Sequence, residues 1–332
     1  MPHVRVGFIG AGFIAGVHAG ILARDERVQL AQVFDPNPHQ SALFALTHGV
    51  TAAPSLDDLL GAVDAVYICN PNAFHADAAV RALNAGLHVF SEKPMATSLD
   101  DAVRVRDAAK RASGVYQAGF NRRFAPVYVE MKRRLDDGDI TPTSALLKMN
   151  RGELQRPAWT GDPAISGGFL YETPVHMLDL IRHLFGEPAE VVVRARSTVY
   201  QQLDDFSMLF TFPSGMSAVF ATSAHTTWLF PFERVEIYGE HAIAATEEME
   251  RMTFARGIGQ ASQTQDYSQL PFEERWGYIE EDCRFVGAVL GIEAPAVSAG
   301  DAYGTTALVD RCYHLAAGDL TAAPSIGASE RV

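Results

Sequence analysis

The strongest constraint on the fold is a glycine-rich turn that follows directly on the first apolar strand of the chain. Residues 4–9 read VRVGFI, and they lead into a G-x-G-x-x-A pattern that opens an apolar helix. Gly10 permits a tight turn, Gly12 lets the backbone approach a phosphate, and Ala15 is small enough for close helix–strand packing. Because a helix N-terminus favours negative charge, the pattern predicts a dinucleotide-binding Rossmann unit.

An acidic residue at the end of the second predicted strand distinguishes the two nicotinamide dinucleotides. Asp35 stands near the offset from Gly10 at which an acid meets the adenosine ribose. Its carboxylate would accept hydrogen bonds from the ribose hydroxyls and repel a 2′-phosphate, and residues 36–38, Pro-Asn-Pro, offer no arginine to bind one. The sequence thus predicts NAD(H) in preference to NADP(H). A methyltransferase can share the turn and the acid, so these features alone leave the reaction open.

Six short apolar runs alternate with helical patterns in the N-terminal part, which is typical of a doubly wound parallel sheet. We therefore predict a Rossmann domain over residues 1–123. The predicted strands are residues 4–9, 28–34, 50–53, 64–69, 87–91 and 115–120.

Beyond residue 123 the chain changes to longer alternating runs without intervening helices. Such alternation predicts an antiparallel sheet. The predicted fold class is therefore α/β for the Rossmann domain, a doubly wound parallel sheet. It is followed by a C-terminal α+β domain (residues 124–332) with a large, mostly antiparallel sheet. Three helices are predicted at 126–135, 174–185 and 273–290. The predicted strands are residues 144–150, 190–200, 205–212, 215–224, 234–239 and 241–247.

Charge and cysteine content argue against several classes of partner, namely nucleic acids and metal ions. The net charge of -13 falls entirely in residues 125–332, which carry 16 basic and 29 acidic side chains. An acidic chain without a basic stripe predicts no nucleic-acid partner. The three cysteines are too widely spaced for a metal or redox pair, so we expect no metal. Without a signal peptide or a membrane-spanning stretch, we expect a cytoplasmic protein with no membrane partner.

Several further motifs resemble those of the Gfo/Idh/MocA family, named for glucose-fructose oxidoreductase and inositol dehydrogenase. Residues 69–75 read CNPNAFH, residues 92–94 read EKP, residues 119–124 read GFNRRF, and residues 167–179 read GGFLYETPVHMLD. The resemblance covers the N-terminal domain and the start of the second. It implies an NAD-dependent oxidoreductase that acts on sugars, cyclitols or related polyols.

The resemblance also implies which residues surround the cofactor. In an open α/β sheet, ligands bind outside the carboxyl ends of the strands, and the motifs lie at such ends. The predicted cofactor-binding residues are Gly10, Gly12, Phe13, Ile14, Asp35, Asn70, Asn72, His75, Glu92 and Lys93.

Three residues are predicted to be catalytic. His176 would take the hydroxyl proton of a secondary alcohol, because an imidazole titrates near neutral pH. Lys93 would stabilise the developing charge on the reacting oxygen. Glu172 could orient the histidine or bind a substrate hydroxyl. The family usually has aspartate at this position, so the longer side chain is a departure from the family's pattern. All three would contact substrate.

Substrate contacts and self-association are predicted from neighbouring features. Arg122 and Trp159 flank the two catalytic motifs, and guanidinium and aromatic groups suit carbohydrate hydroxyls and faces. The run that contains Met208, Leu209 and Phe210 is apolar on both alternations. A sheet that is apolar on both faces must bury both, so we predict a homodimer or homotetramer formed through the C-terminal sheet.

Two alternatives share the same motifs. One is a non-catalytic, NAD-bound regulatory protein, against which Lys93, His176 and Glu172 argue. The other is an enzyme that uses bound NAD in an internal redox cycle, for example in glycoside cleavage. Cofactor turnover distinguishes it from a dehydrogenase.

Overall fold

A computed structural model describes residues 3–228 and 232–322, in which two β-sheets are flanked by helices. The N-terminal sheet has six parallel strands in the order β3-β2-β1-β4-β5-β6. This is a doubly wound order with its switch point between β1 and β4, which confirms the predicted Rossmann sheet. All six predicted strands are confirmed: β1 Val4–Ile9, β2 Val28–Phe34, β3 Thr51–Ala52, β4 Ala65–Ile68, β5 His88–Glu92 and β6 Tyr116–Gly119.

The helices of the first sheet begin at recognisable caps. Ser55 accepts a hydrogen bond from the backbone N–H of Asp58 at 3.1 Å, and Ser98 accepts one from Asp101 at 3.2 Å. Short 3-10 turns at Asn72–Phe74 and Asn121–Phe124 follow β4 and β6. The helices are α1 Phe13–Leu22, α2 Pro38–His48, α3 Leu56–Leu60, α4 His75–Asn84, α5 Leu99–Arg111 and α6 Pro126–Asp136.

The second sheet has eight strands in the order β14-β13-β12-β11-β7-β10-β9-β8. Its neighbouring pairs are antiparallel except β7 with β10, which confirms a mostly antiparallel sheet. The run predicted over 190–200 ends as a strand at Arg196, and two further strands extend the sheet beyond the predicted six. The strands are β7 Pro142–Met149, β8 Glu190–Arg196, β9 Asp205–Thr211, β10 Ser217–Ser223, β11 Glu233–Gly239, β12 Ala242–Glu247, β13 Arg251–Arg256 and β14 Gln263–Asp266.

The C-terminal helices return the chain to the first sheet. The helix predicted over 273–290 is two helices, because Gly277 adopts a left-handed φ of 86° between them. Phe285 and Val286 of the second helix are buried with the strands of the Rossmann sheet. The last helix was not predicted, because its sequence mixes Gly, Thr and Ala without a clear apolar stripe. The helices of this half of the chain are α7 Pro163–Ser166, α8 Phe169–Glu172, α9 Val175–Phe185, α10 Phe272–Arg275, α11 Tyr278–Val289 and α12 Ala299–Ala322. Gly277 lies between α10 and α11, and α12 is the helix that was not predicted.

None of the helices within residues 3–228 and 232–322 is long and apolar enough to cross a membrane. The cytoplasmic location stays a prediction.

Candidate active site

The glycine turn packs tightly against the end of β4. Gly10 has a φ of 97°, and a Cβ at this residue would lie 2.7 Å from the backbone N of Asn70 and the carbonyl carbon of Cys69. Both the positive φ and the close approach exclude a side chain. Glycine at this position therefore lets the turn lie directly beside the loop that follows β4.

The N-terminus of α1 is left open for an anion. Gly12 is the N-cap residue and supplies no side-chain cap, and a Cβ there would have no neighbour within 4 Å. Phe13 is 79% exposed beside it. Because the first N–H groups of a helix lack internal partners, this terminus fits a pyrophosphate.

Asp35 lies against the glycine turn, as the sequence predicts for a residue that meets a ribose. Its Oδ2 accepts a hydrogen bond from the backbone N–H of Ala11 at 3.0 Å, and its Oδ1 accepts one from Asn37 at 2.9 Å. A carboxylate has about four lone-pair sites, so it can also accept from ribose hydroxyls. The residues present thus fit an NAD-type dinucleotide.

The loop after β4 is tied to two other segments of the chain. Both ring nitrogens of His75 meet backbone oxygens, Nδ1 that of Pro94 at 2.7 Å and Nε2 that of Asn70 at 2.6 Å. The Asn72 amide donates to the carbonyl of Ser166 at 2.9 Å, across to the second domain. His75 and Asn72 therefore position this loop, whereas Asn70 Oδ1 is buried and has no hydrogen-bond partner among the described residues.

Lys93 reaches from the end of β5 to the second domain. Its Nζ donates to the backbone carbonyl of Glu172 at 2.8 Å. An ammonium group has three donors, and the described residues provide one acceptor for Nζ, so two N–H groups are left for a substrate oxygen. Burial, opposed by Glu172 and Glu92, lowers the pKa of Lys93 below its usual 10.5.

Glu172 is held by an arginine that the sequence analysis missed. Arg151 Nη1 donates to Glu172 Oε2, and the Thr173 hydroxyl donates to the same oxygen. The Arg151 and Glu172 side chains are each 9% exposed, so the pair is shielded from solvent. Glu172 therefore forms a buried ion pair, and no hydrogen bond joins it to His176 among the described residues.

His176 lies one residue into α9, which begins at Val175 with Pro174 as its N-cap residue. The helix predicted over residues 174–185 thus begins one residue later. The histidine is 6% exposed, and within the described chain its Nδ1 has no hydrogen-bond partner. Burial, with the charges of Arg122 and Lys93, lowers its pKa well below 6.5. His176 is therefore a neutral imidazole close to two cations.

The two predicted substrate-contacting residues are placed differently. Arg122 is buried and donates to Glu233 Oε2 at 3.1 Å, and its guanidinium lies 5.0 Å from the ring centre of Trp276. It acts on the site through its charge, which lowers the pKa of His176. Trp159 is half-buried in a 3-10 turn at Ala158–Gly161. Its contact with substrate stays a prediction.

Two further residues of this region were not singled out from sequence. Arg151 follows the end of β7, and His18 lies buried beside Glu92. The signal for His18 was a single imidazole in an otherwise apolar helix. For Arg151 it was a charged residue directly after an alternating strand, which is too common to be specific. Across the described segments, 3–228 and 232–322, no group of three or more His, Cys, Asp or Glu residues could hold a metal ion.

Two protein-family models match the chain, one over the Rossmann sheet and one over much of the second sheet. The model described as an oxidoreductase family with an NAD-binding Rossmann fold matches residues 4–120. The model described as the GFO/IDH/MocA C-terminal domain matches residues 128–245.

Relatives of similar length carry names of dehydrogenases. Inositol 2-dehydrogenase of Rhizobium meliloti is 28% identical over 92% of this chain and 95% of its own length. Inositol 2-dehydrogenase 3 of Saccharopolyspora erythraea is 30% identical over 92% of this chain and 90% of its own length. A levoglucosan dehydrogenase solved with NADH and levoglucosan has a TM-score of 0.88 at 20% identity, over 96% of this chain and 98% of that one, which shows a shared fold.

Proposed function

Because the chain belongs to the Gfo/Idh/MocA oxidoreductase family, we propose that it is an NAD(H)-dependent dehydrogenase for a secondary alcohol carbon of a sugar, cyclitol or related polyol. The observation that supports the proposal is the hydrogen bond that joins Lys93 to the segment of His176. Lys93 Nζ donates to the backbone carbonyl of Glu172 at 2.8 Å, and the charge of Lys93, together with burial, lowers the pKa of His176.

The reaction follows from what these side chains can do. Residues of the glycine turn and Asp35 would hold the NAD+, which would supply the acceptor for the hydride of the alcohol carbon. His176 is neutral and accepts the hydroxyl proton as the carbonyl forms. Lys93 donates to the reacting oxygen and stabilises its negative charge in the transition state. Glu172, paired with Arg151, supplies the carbonyl that holds Lys93 Nζ in place.

An absorbance assay tests the proposal. The protein is mixed with NAD+ and a panel of cyclitols, aldoses and sugar acids, and reduced nicotinamide is followed. We expect NADH to accumulate with at least one polyol. Tight NADH binding with no turnover across the panel would favour the non-catalytic or internal-cycle alternatives.

Cofactor preference is expected to depend on Asp35. Replacing Asp35 with Ser removes the charge that repels a 2′-phosphate, so the ratio of kcat/KM for NADP+ to that for NAD+ should rise by about 10- to 100-fold. Steady-state kinetics with both cofactors measure the ratio. Asp57→Ser, on an 83% exposed acid of the same domain, is the matched control and should leave the ratio unchanged. An unchanged ratio in Asp35→Ser would remove the assigned role of this carboxylate.

The pH dependence of alcohol oxidation is expected to be bell-shaped. His176 must be neutral, and its pKa lies well below 6.5, so kcat/KM should fall on the acid side only below about pH 6.5. Lys93 must be charged, and its pKa lies below 10.5, so the alkaline decline should begin below that pH. Lys93→Arg should move the alkaline decline upward. An acid limb above pH 6.5 would contradict the assignment of His176.

We also propose that the chain self-associates through the open face of the second sheet. Met208 and Phe210 face inward and are buried, whereas Leu209 faces outward and is 41% exposed. Across neighbouring strands Leu209 is in register with Val192 and Val219, and Val219 with Leu146. The four residues make a continuous, exposed apolar row.

If the exposed apolar row forms a subunit interface, a charge placed in it should lower the mass of the particle in solution. The protein should behave in light scattering as a multiple of its 36.1 kDa chain, and Leu209→Asp should shift it toward one chain. Leu46→Asp, on an exposed leucine of α2, is the control and should leave the mass unchanged. A wild-type mass of a single chain would end this proposal.

A further inference from the structure

A buried histidine joins the glycine-turn helix to the strand that carries the catalytic lysine. His18 lies in α1 and is fully buried. Its Nδ1 lies 2.8 Å from Asp282 Oδ1, and its Nε2 lies 3.2 Å from Glu92 Oε1. Asp282 belongs to α11, so the contact joins three elements that are far apart in sequence.

Both nitrogens of His18 meet carboxylates, so both must carry a hydrogen for the contacts to be attractive. Burial lowers the pKa of His18, but the charges and hydrogen bonds of Asp282 and Glu92 outweigh it and raise the pKa to about 10. His18 is therefore an imidazolium that is held at both ends by charge-assisted hydrogen bonds.

Burial favours the neutral forms of three further titratable groups near the ring. Burial raises the pKa of Glu281 and of Tyr67 well above their usual values, and it raises the pKa of Tyr278. The ring itself packs against Tyr67, with ring centres 5.2 Å apart, and edge-on against Phe90 at 5.0 Å. His18 thus has little freedom to rotate, and the position of Glu92 follows from it.

Glu92 transmits this constraint to the catalytic lysine. Its Oε1 meets His18, and its Oε2 accepts a hydrogen bond from the backbone N–H of Lys93 at 3.1 Å. The carboxylate therefore has one oxygen on the buried histidine and the other on the backbone of the next residue. Loss of the first contact would free Glu92 to rotate and release the second.

We propose that His18, fixed by Asp282, is a positioning residue that acts through Glu92 to hold Lys93 in register for hydride transfer. This inference rests on the proposed dehydrogenase function. It assigns the imidazole of α1 a role in the rate of the chemical step rather than in cofactor binding.

Two substitutions distinguish the contribution of each His18 ring nitrogen to the rate. His18→Asn retains a donor near the Nδ1 position and loses the Glu92 contact, whereas His18→Gln can retain a donor near Nε2. A displacement of about 1 Å at a catalytic group costs about 100-fold in rate, so we expect kcat of His18→Asn to fall by about that factor and kcat of His18→Gln to fall less. KM for NAD+ should change by less than about threefold in both. His48→Gln, at the end of α2, is the matched control.

A double-mutant cycle separates positioning from general destabilisation. If His18 acts through Glu92, then His18→Asn combined with Glu92→Gln should lower kcat no more than the more damaging single substitution. Multiplied losses, or a rise in KM for NAD+ that accounts for the whole effect, would overturn the proposal.

Hydrogen exchange of residues 88–96 tests the positioning role without turnover. In His18→Asn this segment should exchange faster than in the wild type and in His48→Gln. Unchanged exchange would overturn the positioning role even if the protein oxidised no polyol, whereas faster exchange without turnover in the wild type would contradict only the proposed function.

Discussion

Replacing Lys93 with Met is expected to lower kcat by about 1000-fold while NADH binding is retained. In the proposed mechanism the ammonium group donates to the reacting oxygen, and removal of one such donor typically costs about 100- to 1000-fold in rate. Met keeps the length and apolar stem of the side chain, so the packing at the end of β5 should survive. Stopped-flow measurement of NADH formation, with NADH affinity from fluorescence titration, gives both quantities.

The control for this variant is Lys110→Met, which removes an equal charge from the exposed end of α5. It should leave kcat unchanged. If Lys93→Met retained more than about a tenth of the wild-type rate, the lysine would be a structural link to the Glu172 carbonyl and the mechanism would need another oxygen-binding group.

Replacing His176 with Gln is expected to lower kcat by about 100- to 1000-fold at neutral pH. General-base catalysis contributes about 100- to 10000-fold, and solvent can replace part of it. Because the proton and not the cofactor is affected, KM for NAD+ should stay near the wild-type value. The loss should also remove the acid limb of the pH profile, since that limb reports the protonation of this imidazole.

His183→Gln, on the same helix, separates catalysis from a general effect on α9. His183 is half-buried beside Arg123 and Asp179, and burial lowers its pKa to about 4. Its loss should change stability more than rate. Equal losses of kcat in the two variants would mean that the helix and not the imidazole of His176 limits the reaction.

Most of the fold followed from local patterns. The parallel strands were predicted because buried β-branched runs separated by helices have few other solutions. The strand β14 was not predicted because Gln, Thr and Asp make it up, and β13 has only two large apolar residues, Met252 and Phe254. The helix α12 was missed because residues 299–322 lack a helical apolar stripe, and its burial against other helices becomes evident only in three dimensions.

The site was predicted less completely, because its positioning residues come from distant segments. Asp35, Lys93 and His176 belong to local motifs, so sequence could suggest roles for them. His18 acquires its partners from β5 and α11, and no spacing along the chain records these contacts.

Glu172 shows how one substitution in a motif can depend on a residue elsewhere. The Glu172 carboxylate forms an ion pair with Arg151, and within the described part of the chain no hydrogen bond joins it to His176. The departure from the family's usual aspartate is visible in the sequence, but its partner Arg151 lies in a distant segment that carries no motif.

The most direct test of the proposed dehydrogenase function is the stoichiometry of free NAD+ consumption. It is measured during oxidation of a polyol that the protein turns over. The proposed dehydrogenase predicts one NADH released for each ketone formed, with a rate that depends on Lys93 and His176. Product formation without net release of NADH would contradict it and show that the cofactor is recycled within the site.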